Sequence, residues 1–170
     1  YTDSPLTGGF ETFLTQELVD HMDRRYRTLP HAQSRGIAGH STGGYGAMVL
    51  AMKHPDVFGA VYAHDASALS FHEWFATGDG DHQREALTLQ RTGEYTDFVG
   101  GFHPQMLLAA ASSFTPNLGR LPSQVDLPWK VDGDAVKRID AVWAKWLRFD
   151  PLHSLPLYAD NLRQLRGIAL

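Results

Sequence analysis

A serine between two glycines is the residue of this sequence whose type and spacing most clearly indicate chemistry. Positions 39 to 43 read GHSTG, after the run RGIA and before the run GYGAMVLAM. This is the G-x-S-x-G pattern, in which a sharp strand-to-helix turn exposes a serine as a nucleophile. Gly39 and Gly43 are expected to keep Cβ atoms away from the neighbouring strand and helix, and Gly44 to permit close helix–sheet packing. The pattern therefore predicts that Ser41 is the nucleophile of an acyl-transfer reaction.

The same turn predicts how negative charge on a reacting oxygen would be stabilised. The N-terminus of the following helix carries a partial positive charge, because its first N–H groups have no partner within the helix. We expect the backbone N–H of Thr42 to donate a hydrogen bond to the oxyanion. A glycine-rich turn with an incidental serine is the alternative, but it does not account for the strand and helix patterns on either side.

Strand and helix signals around the turn predict a parallel sheet. Residues 35–40 and 58–65 are short apolar runs bounded by turn residues, which is typical of buried strands. Residues 44–55 have a helical pattern that ends at Pro55. A strand, a helix and a second strand in this order indicate a parallel pair joined by a crossover.

Outside this unit the sequence is predicted to be mostly helical. Apolar residues at three- or four-residue steps from Phe10 to Tyr26 predict a helix of about 17 residues that packs one face on a core. We predict one domain, 1–170, with a helical insertion at about 70–150 that contains no strand. The further predictions are short helices within 70–78 and 82–93, helices at 104–114, 134–150 and 155–167 (the last capped by Gly167), a loop at 118–133 and a final strand at 165–170.

Residues near the turn are candidates for supporting roles. His40 is expected to point away from Ser41 and into the packing of the turn. His64 and Asp65 end the second strand, at the sheet edge where ligands bind in α/β proteins. They are interpreted as pocket lining or as loop and capping residues, rather than as the base and acid of a triad. Trp74 is interpreted as pocket lining or as core.

The composition excludes several classes of function. With 15 Lys and Arg against 19 Asp and Glu, the formal net charge is -4, so nucleic acids and anionic membranes are not expected partners. The chain has no cysteine, which excludes disulfides and thiolate metal sites. HEWFA at 72–76 lacks the second histidine of a zinc motif, and GDGDH at 78–82 lacks the spacing of a calcium loop, so no metal or other cofactor is expected. No apolar run reaches the roughly 20 residues that span a bilayer.

Three stretches resemble the putative-esterase family of α/β hydrolases, which includes S-formylglutathione hydrolase, the antigen 85 mycolyltransferases and feruloyl esterases. They are GGFETFLTQELVDHMDRRYRTL, SRGIAGHSTGGYGAMVLAMKHPDVFGAVYAHDAS and FDPLHSL, in the family's order. The resemblance implies an α/β-hydrolase fold, with a mostly parallel sheet flanked by helices. It also implies Ser41 as nucleophile and the Thr42 N–H as one oxyanion donor. The chain departs from the family in having AHDAS where Ser-Pro is usual.

The family's order of catalytic residues implies that much of the machinery lies elsewhere. The acid follows a strand like the one that begins at GIAL, and the histidine comes later still. The second oxyanion donor comes from a loop before the first long helix. We therefore expect the triad Asp and His beyond Leu170, the second donor before Tyr1, and a fold that is incomplete at both ends.

These observations favour a serine carboxylic-ester hydrolase that acts on a small-molecule ester through an acyl-enzyme on Ser41. Two alternatives stay open: an acyltransferase of the antigen 85 type, and a catalytically inactive hydrolase-fold module used for binding. A peptidase of the prolyl-oligopeptidase type fits the long first helix less well. An exposed sheet edge would favour a homo-oligomer. The sequence is compatible with a cytoplasmic and with a secreted location.

Overall fold

The chain begins with a small hairpin and a long helical stretch. In a computed structural model, which describes residues 1–76, 80–94 and 101–170, β1 (Asp3–Ser4) pairs antiparallel with β2 (Gly8–Gly9). Three helical segments follow without a break, as predicted for this region. They are α1 (Phe10–Thr12), a π-helical turn (Phe13–Glu17) and α2 (Leu18–Arg25).

The apolar face of this helical stretch does not pack on a core, contrary to the prediction. Phe10 is 51% exposed, and Phe13, Met22 and Tyr26 are also exposed. Their spacing gives the helix an apolar face, but no described element covers it. A groove of about 450 Å³ remains between α2 and the strand that contains Ile37. Periodicity shows which face of a helix is apolar, whereas burial requires a second element against that face.

A parallel sheet forms the centre of the fold, as predicted. Strand β3 (Gly36–His40) follows a short 3₁₀ turn and leads into α3 (Thr42–Lys53), and β4 (Ala60–His64) lies parallel to β3. Apolar side chains of α3 and β4 pack together in one core, which includes Met48, Ala51 and Val61. The strand–helix–strand unit around Ser41 is therefore confirmed, and the chain has the α/β architecture.

The helical insertion, which was predicted to contain no strand, contains a hairpin. The short helix α4 (Phe71–Phe75) and the longer helices α5 (Asp81–Thr92) and α6 (Phe102–Phe114) are confirmed. Strands β5 (Trp129–Asp132) and β6 (Ala135–Arg138) then pair antiparallel around a two-residue turn that contains Gly133 at φ 61°. The predicted loop at 118–133 and helix at 134–150 are thus wrong in part. Helical structure begins only at α7 (Asp140–Trp146), because cross-strand pairing takes the preceding residues.

The last helix and the last strand meet differently from the prediction. After a 3₁₀ turn, Asp150 caps the start of α8 (Pro151–Gln164), which begins four residues before the predicted start. The C-cap of α8 is Leu165. Gly167 is not its cap. It opens β7 (Gly167–Ala169), which pairs parallel with β4 and completes the sheet order β3–β4–β7. The Arg166 N–H donates to the Gly59 carbonyl at 2.7 Å, so pairing with the sheet ends the helix earlier.

Helix α3 joins two hydrophobic cores. One face packs on the sheet and α8, and the other face, through Tyr45 and Val49, packs on the insertion. The insertion core is built around Trp146, which is fully buried among Phe71 and other aromatic rings. The turn that contains Ser41, at the start of α3, is therefore held by a helix that is packed on both sides. None of the described helices is long and apolar enough to cross a membrane.

Candidate active site

The backbone at Ser41 adopts a conformation that is rare for residues other than glycine. Ser41 has φ 55° and ψ -119° and lies between the last residue of β3 and the first residue of α3. These angles are close to those of the first central residue of a type II′ turn, a position that glycine normally occupies. Strained residues of this kind persist only where the surrounding structure holds them, and they cluster at functional sites. Ser41 is thus on a sharp turn at the carboxyl edge of the sheet.

Three backbone hydrogen bonds hold the Ser41 peptide groups in place. The Ser41 N–H donates to the His64 carbonyl at 3.1 Å, and the Ser41 carbonyl accepts from the N–H groups of Tyr45 and Ser67, both at 3.1 Å. The first bond continues the β3–β4 ladder by one residue, and the second opens α3. The third ties the turn to the loop that follows β4. The strained conformation is therefore fixed by the strand, the helix and the loop together.

Glycine is required at two of the three positions expected from the motif. A Cβ on Gly39 would lie 2.0 Å from the Gly43 carbonyl oxygen, and a Cβ on Gly44 would lie 2.8 Å from the Ala66 Cβ. A Cβ on Gly43 would meet only the Tyr1 hydroxyl, at 3.9 Å, which is an ordinary contact. The expectation for Gly39 and Gly44 is confirmed, whereas that for Gly43 is wrong. Gly43 takes part in the close contact through its backbone carbonyl, which lies next to Gly39, and a side chain on Gly43 itself would meet no obstacle.

His40 does not pack into the turn, contrary to the prediction. Its side chain is 66% exposed, and its ring lies 5.1 Å from the ring of His64, its parallel partner in the β3–β4 register. The His40 Nε2 and an Asp65 carboxylate oxygen are 4.0 Å apart. Alternation along β3 explains this placement, because Ile37 and Gly39 face the covered side of the sheet and His40 faces the open side. The structure therefore brings His40, His64 and Asp65 together beside Ser41.

The loop after β4 contributes to the site in a way that the sequence did not reveal. Asp65 has φ 44° and Ala68 has φ 56°, so two further residues with left-handed backbone flank Ser67. Ser67 is buried, its N–H holds the Ser41 carbonyl, and its hydroxyl has no hydrogen-bond partner among the described residues. The only sequence signal for this role was the departure from the family in the stretch AHDAS.

The backbone N–H of Thr42 is placed at the open start of α3. Thr42 is the first residue of that helix, and Ser41 provides no side-chain cap. The N–H groups of a first helical turn have no carbonyl partner within the helix, and they attract negative charge. The Thr42 side chain is exposed. This position is compatible with the predicted oxyanion donor, which stays a prediction.

The aromatic residues after β4 divide between core and surface. Phe75 is buried and its ring packs edge-on against Trp146, 5.3 Å away. Trp74, one residue earlier on α4, is 46% exposed. Trp74 is therefore not a core residue, and its place in a substrate pocket stays a prediction.

Tyr45 is a polar residue under the turn with a structural role. It is buried, and its hydroxyl donates to the Phe149 carbonyl at 2.9 Å, which links α3 to the segment before α8. Desolvation, with a smaller contribution from the Asp150 carboxylate, raises the pKa of the Tyr45 phenol well above its usual range. The phenol is therefore a neutral hydrogen-bond donor at physiological pH and is not a candidate base.

No metal site is found in the part of the chain that the structure describes. No group of three or more His, Cys, Asp or Glu side chains there is arranged to hold an ion. His72 and Glu73 of the HEWFA stretch lie on the exposed side of α4. Gly78 and Asp79 of the GDGDH stretch lie outside the described residues.

Comparisons with known proteins identify the family. The model of the family described as Putative esterase matches residues 2–167. A ferulic acid esterase of known structure is 36% identical in sequence, over 48% of this chain and 30% of that chain, with a TM-score of 0.39. Among curated proteins no significant match is found. Since the family match covers nearly all of the chain and the strand–turn–helix unit around Ser41 is in place, this chain belongs to the Putative esterase family.

Proposed function

We propose that this chain takes part in the hydrolysis of carboxylic esters through an acyl-enzyme formed on Ser41. Membership of the esterase family supports ester hydrolysis in general. The observation that supports Ser41 as the nucleophile is its backbone, at φ 55° and ψ -119° between β3 and α3. A strained strand-to-helix turn of this kind presents a serine hydroxyl above the sheet edge, where an ester can reach it.

The reaction would proceed in two halves. The Ser41 Oγ attacks the ester carbonyl carbon, its proton passes to a general base, and the bond to the alcohol oxygen breaks as the alcohol leaves with a proton. A water molecule then attacks the acyl carbon, which releases the carboxylic acid and restores the serine. The Thr42 N–H would donate to the carbonyl oxygen while that oxygen carries negative charge.

The general base is left unassigned. His40 and His64 lie on the open side of the sheet next to Ser41, but within residues 1–76, 80–94 and 101–170 the only close polar contact of their side chains is the one between His40 and Asp65. Among the described residues, no histidine ring has a hydrogen bond to the Ser41 hydroxyl. Removal of both imidazoles, by His40→Gln with His64→Gln, is therefore expected to leave labelling of Ser41 by an activated probe intact.

A fluorophosphonate probe and a chromogenic ester test the proposal together. We expect one phosphonate adduct, on Ser41, and release of p-nitrophenol from p-nitrophenyl acetate. Ser41→Ala should abolish the adduct, and in a protein that also carries the triad Asp and His expected beyond Leu170 it should lower hydrolysis by at least about a thousandfold, because it removes the nucleophile. Ser113→Ala on α6 is the matched control and should behave as wild type.

Four outcomes would contradict the proposal. An adduct on another residue, or hydrolysis that survives Ser41→Ala, would exclude Ser41 as the nucleophile. A folded protein that is neither labelled nor active would favour the inactive binding module. Transfer of the acetyl group to an added sugar hydroxyl, faster than its transfer to water, would favour the acyltransferase.

A further inference from the structure

A cleft in the insertion, separate from the nucleophile turn, is large enough to hold a small organic molecule. It lies between α5, the β5–β6 hairpin and the start of α7, and has a volume of about 610 Å³. This is within the range of small-molecule sites in proteins. None of the residues that line it belongs to the turn, to the loop after β4 or to the open sheet face.

The cleft concentrates positive charge in a chain whose formal net charge is -4. Arg84, Arg91, Arg120 and Lys130 line it, against the single carboxylate of Asp126. That carboxylate is already engaged, because the Arg120 Nε donates to it at 2.5 Å and the Asn117 amide at 3.1 and 3.0 Å. Three cations of the lining therefore face the cleft without a carboxylate partner in the described ranges 1–76, 80–94 and 101–170.

The strand register gives a second, independent reason to expect a ligand beside the cations of the cleft. Lys130 on β5 is directly opposite Lys137 on β6. Like charges at opposite positions of an antiparallel pair destabilise it. Lys137 is neutralised by Asp132 at 2.7 Å, whereas Lys130 lines the cleft and has no such partner among the described residues. The stability of the hairpin therefore gives no reason for a lysine at position 130.

Apart from Thr88 and Gln90, the remaining lining is apolar, and one of the cations is fixed in place. The Arg84 guanidinium donates to the Asp134 carbonyl at 2.7 Å, which holds that cation in position but leaves its charge unneutralised. Trp129, which is buried, is one of the apolar lining residues. The other apolar lining residues are Leu87, Leu127, Val131, Ile139 and Val142. A cation-rich rim above an apolar floor matches a ligand with one charged end and one apolar body.

We propose that this cleft binds a small amphiphilic anion, an aromatic or aliphatic body that carries a carboxylate. The cations would bind the carboxylate oxygens by charge-assisted hydrogen bonds, and the apolar floor would bury the body of the ligand. The proposal does not rest on the reaction at Ser41, because the two sites share no residue. An experiment that contradicts the proposal for Ser41 would therefore leave the proposal for the cleft intact, and the reverse is also true.

Titration calorimetry with three probes tests the chemistry of the ligand. 2-Naphthoate carries both features, 2-naphthamide has the same body without charge, and inorganic phosphate has the charge without the body. We expect 2-naphthoate to bind at least about tenfold more tightly than either of the others, a ratio that corresponds to about 1.4 kcal/mol. Equal affinities for 2-naphthoate and 2-naphthamide would overturn the proposal, and so would equal affinities for 2-naphthoate and phosphate.

A pair of charge-matched variants tests the location. Arg91→Gln with Lys130→Gln removes two unpaired cations from the cleft, and Arg25→Gln with Lys145→Gln removes two exposed cations elsewhere. Both change the net charge equally, so long-range electrostatics is controlled. We expect the first pair to weaken 2-naphthoate binding at least about tenfold and the second to leave it unchanged. If both double variants lost the same affinity for 2-naphthoate, or if neither lost any, the ligand would bind outside this cleft. Backbone amide shifts in α5 and β5 on titration would confirm the cleft directly.

Discussion

Ser41 is both the nucleophile that we propose and a residue with a strained backbone conformation. The three hydrogen bonds from β4, α3 and the loop after β4 hold φ at 55° and ψ at -119°. A non-glycine residue in such a region costs on the order of 1–3 kcal/mol. The turn is therefore less stable than a relaxed one would be, and the difference is measurable at this residue.

Ser41→Gly and Ser41→Ala separate the strain from the hydroxyl. Both remove the hydroxyl, but only glycine relieves the positive φ. We expect the unfolding free energy of Ser41→Gly to exceed that of Ser41→Ala by about 1 kcal/mol, as measured by urea unfolding. Equal stability of the two variants would show that the turn relaxes when the protein is free in solution.

The glycines of the motif differ in how much they tolerate a side chain. Gly39→Ala would place a Cβ 2.0 Å from a backbone oxygen, so the turn would have to open. We expect a loss of at least about 3 kcal/mol in unfolding free energy. Gly43→Ala is the matched control, because its Cβ has 3.9 Å of space and alanine favours the helix. If Gly43→Ala destabilised the chain as much as Gly39→Ala, the close-contact argument would be wrong.

At the scale of elements, a buried carboxylate joins the insertion to α8. Asp150 is 3% exposed, and its two oxygens accept from the Phe71 N–H at 2.7 Å and from the His153 N–H at 2.8 Å. The first bond anchors the start of α4, and the second caps α8. Loss of both would leave two backbone donors unsatisfied, one at each helix start.

Asp150→Ala is accordingly expected to lower the unfolding free energy by about 2–4 kcal/mol. Asp160→Ala, on the exposed side of α8, removes a carboxylate that forms an exposed ion pair with Arg163 and should change stability by less than about 1 kcal/mol. Guanidinium unfolding monitored by tryptophan fluorescence compares them. Similar losses in both variants would argue against a special role for Asp150.

At the scale of the whole molecule, Glu11 joins the first helical stretch to the end of α3. Its oxygens contact the Lys53 Nζ at 2.5 Å and the His54 Nε2 at 2.8 Å. Burial alone would raise the pKa of the Glu11 carboxyl. The hydrogen bonds and charges of Lys53 and His54 outweigh it and hold this pKa below its ordinary value. With the pKa lower in the folded state, the contact stabilises the fold above the ordinary pKa and loses this effect as pH falls through the lowered one.

Glu11→Gln tests this linkage. At pH 7 we expect it to cost about 1 kcal/mol, and the difference from wild type should shrink as the pH falls below 4.5, the ordinary value for this carboxyl. Unfolding midpoints from pH 7 to pH 3 provide the comparison, with Asp20→Asn in an exposed i,i+4 pair as control. A constant difference across that range would contradict the pKa argument.

The turn that contains Ser41 and its flanking elements could be predicted from sequence because their signals are local. G-x-S-x-G needs only neighbouring residues to specify a tight turn, and the runs on either side have strand and helix patterns of their own. The side of the sheet that His40 faces could not be read from the motif, since it depends on how β3 alternates against α3. The partner of the Ser41 carbonyl, the N–H of Ser67, is 26 positions away and has no local signal.

What the sequence by itself determined is thus a serine on a strand-to-helix turn in an α/β chain of the esterase family. Only the tertiary structure decided the β5–β6 hairpin, the start of β7 at Gly167, the exposed face of the first helical stretch and the cationic cleft. Each of these depends on which distant segment pairs or packs with another. Long-range pairing overrides local preference, because a residue's side-chain pattern is often compatible with both a helix and a strand.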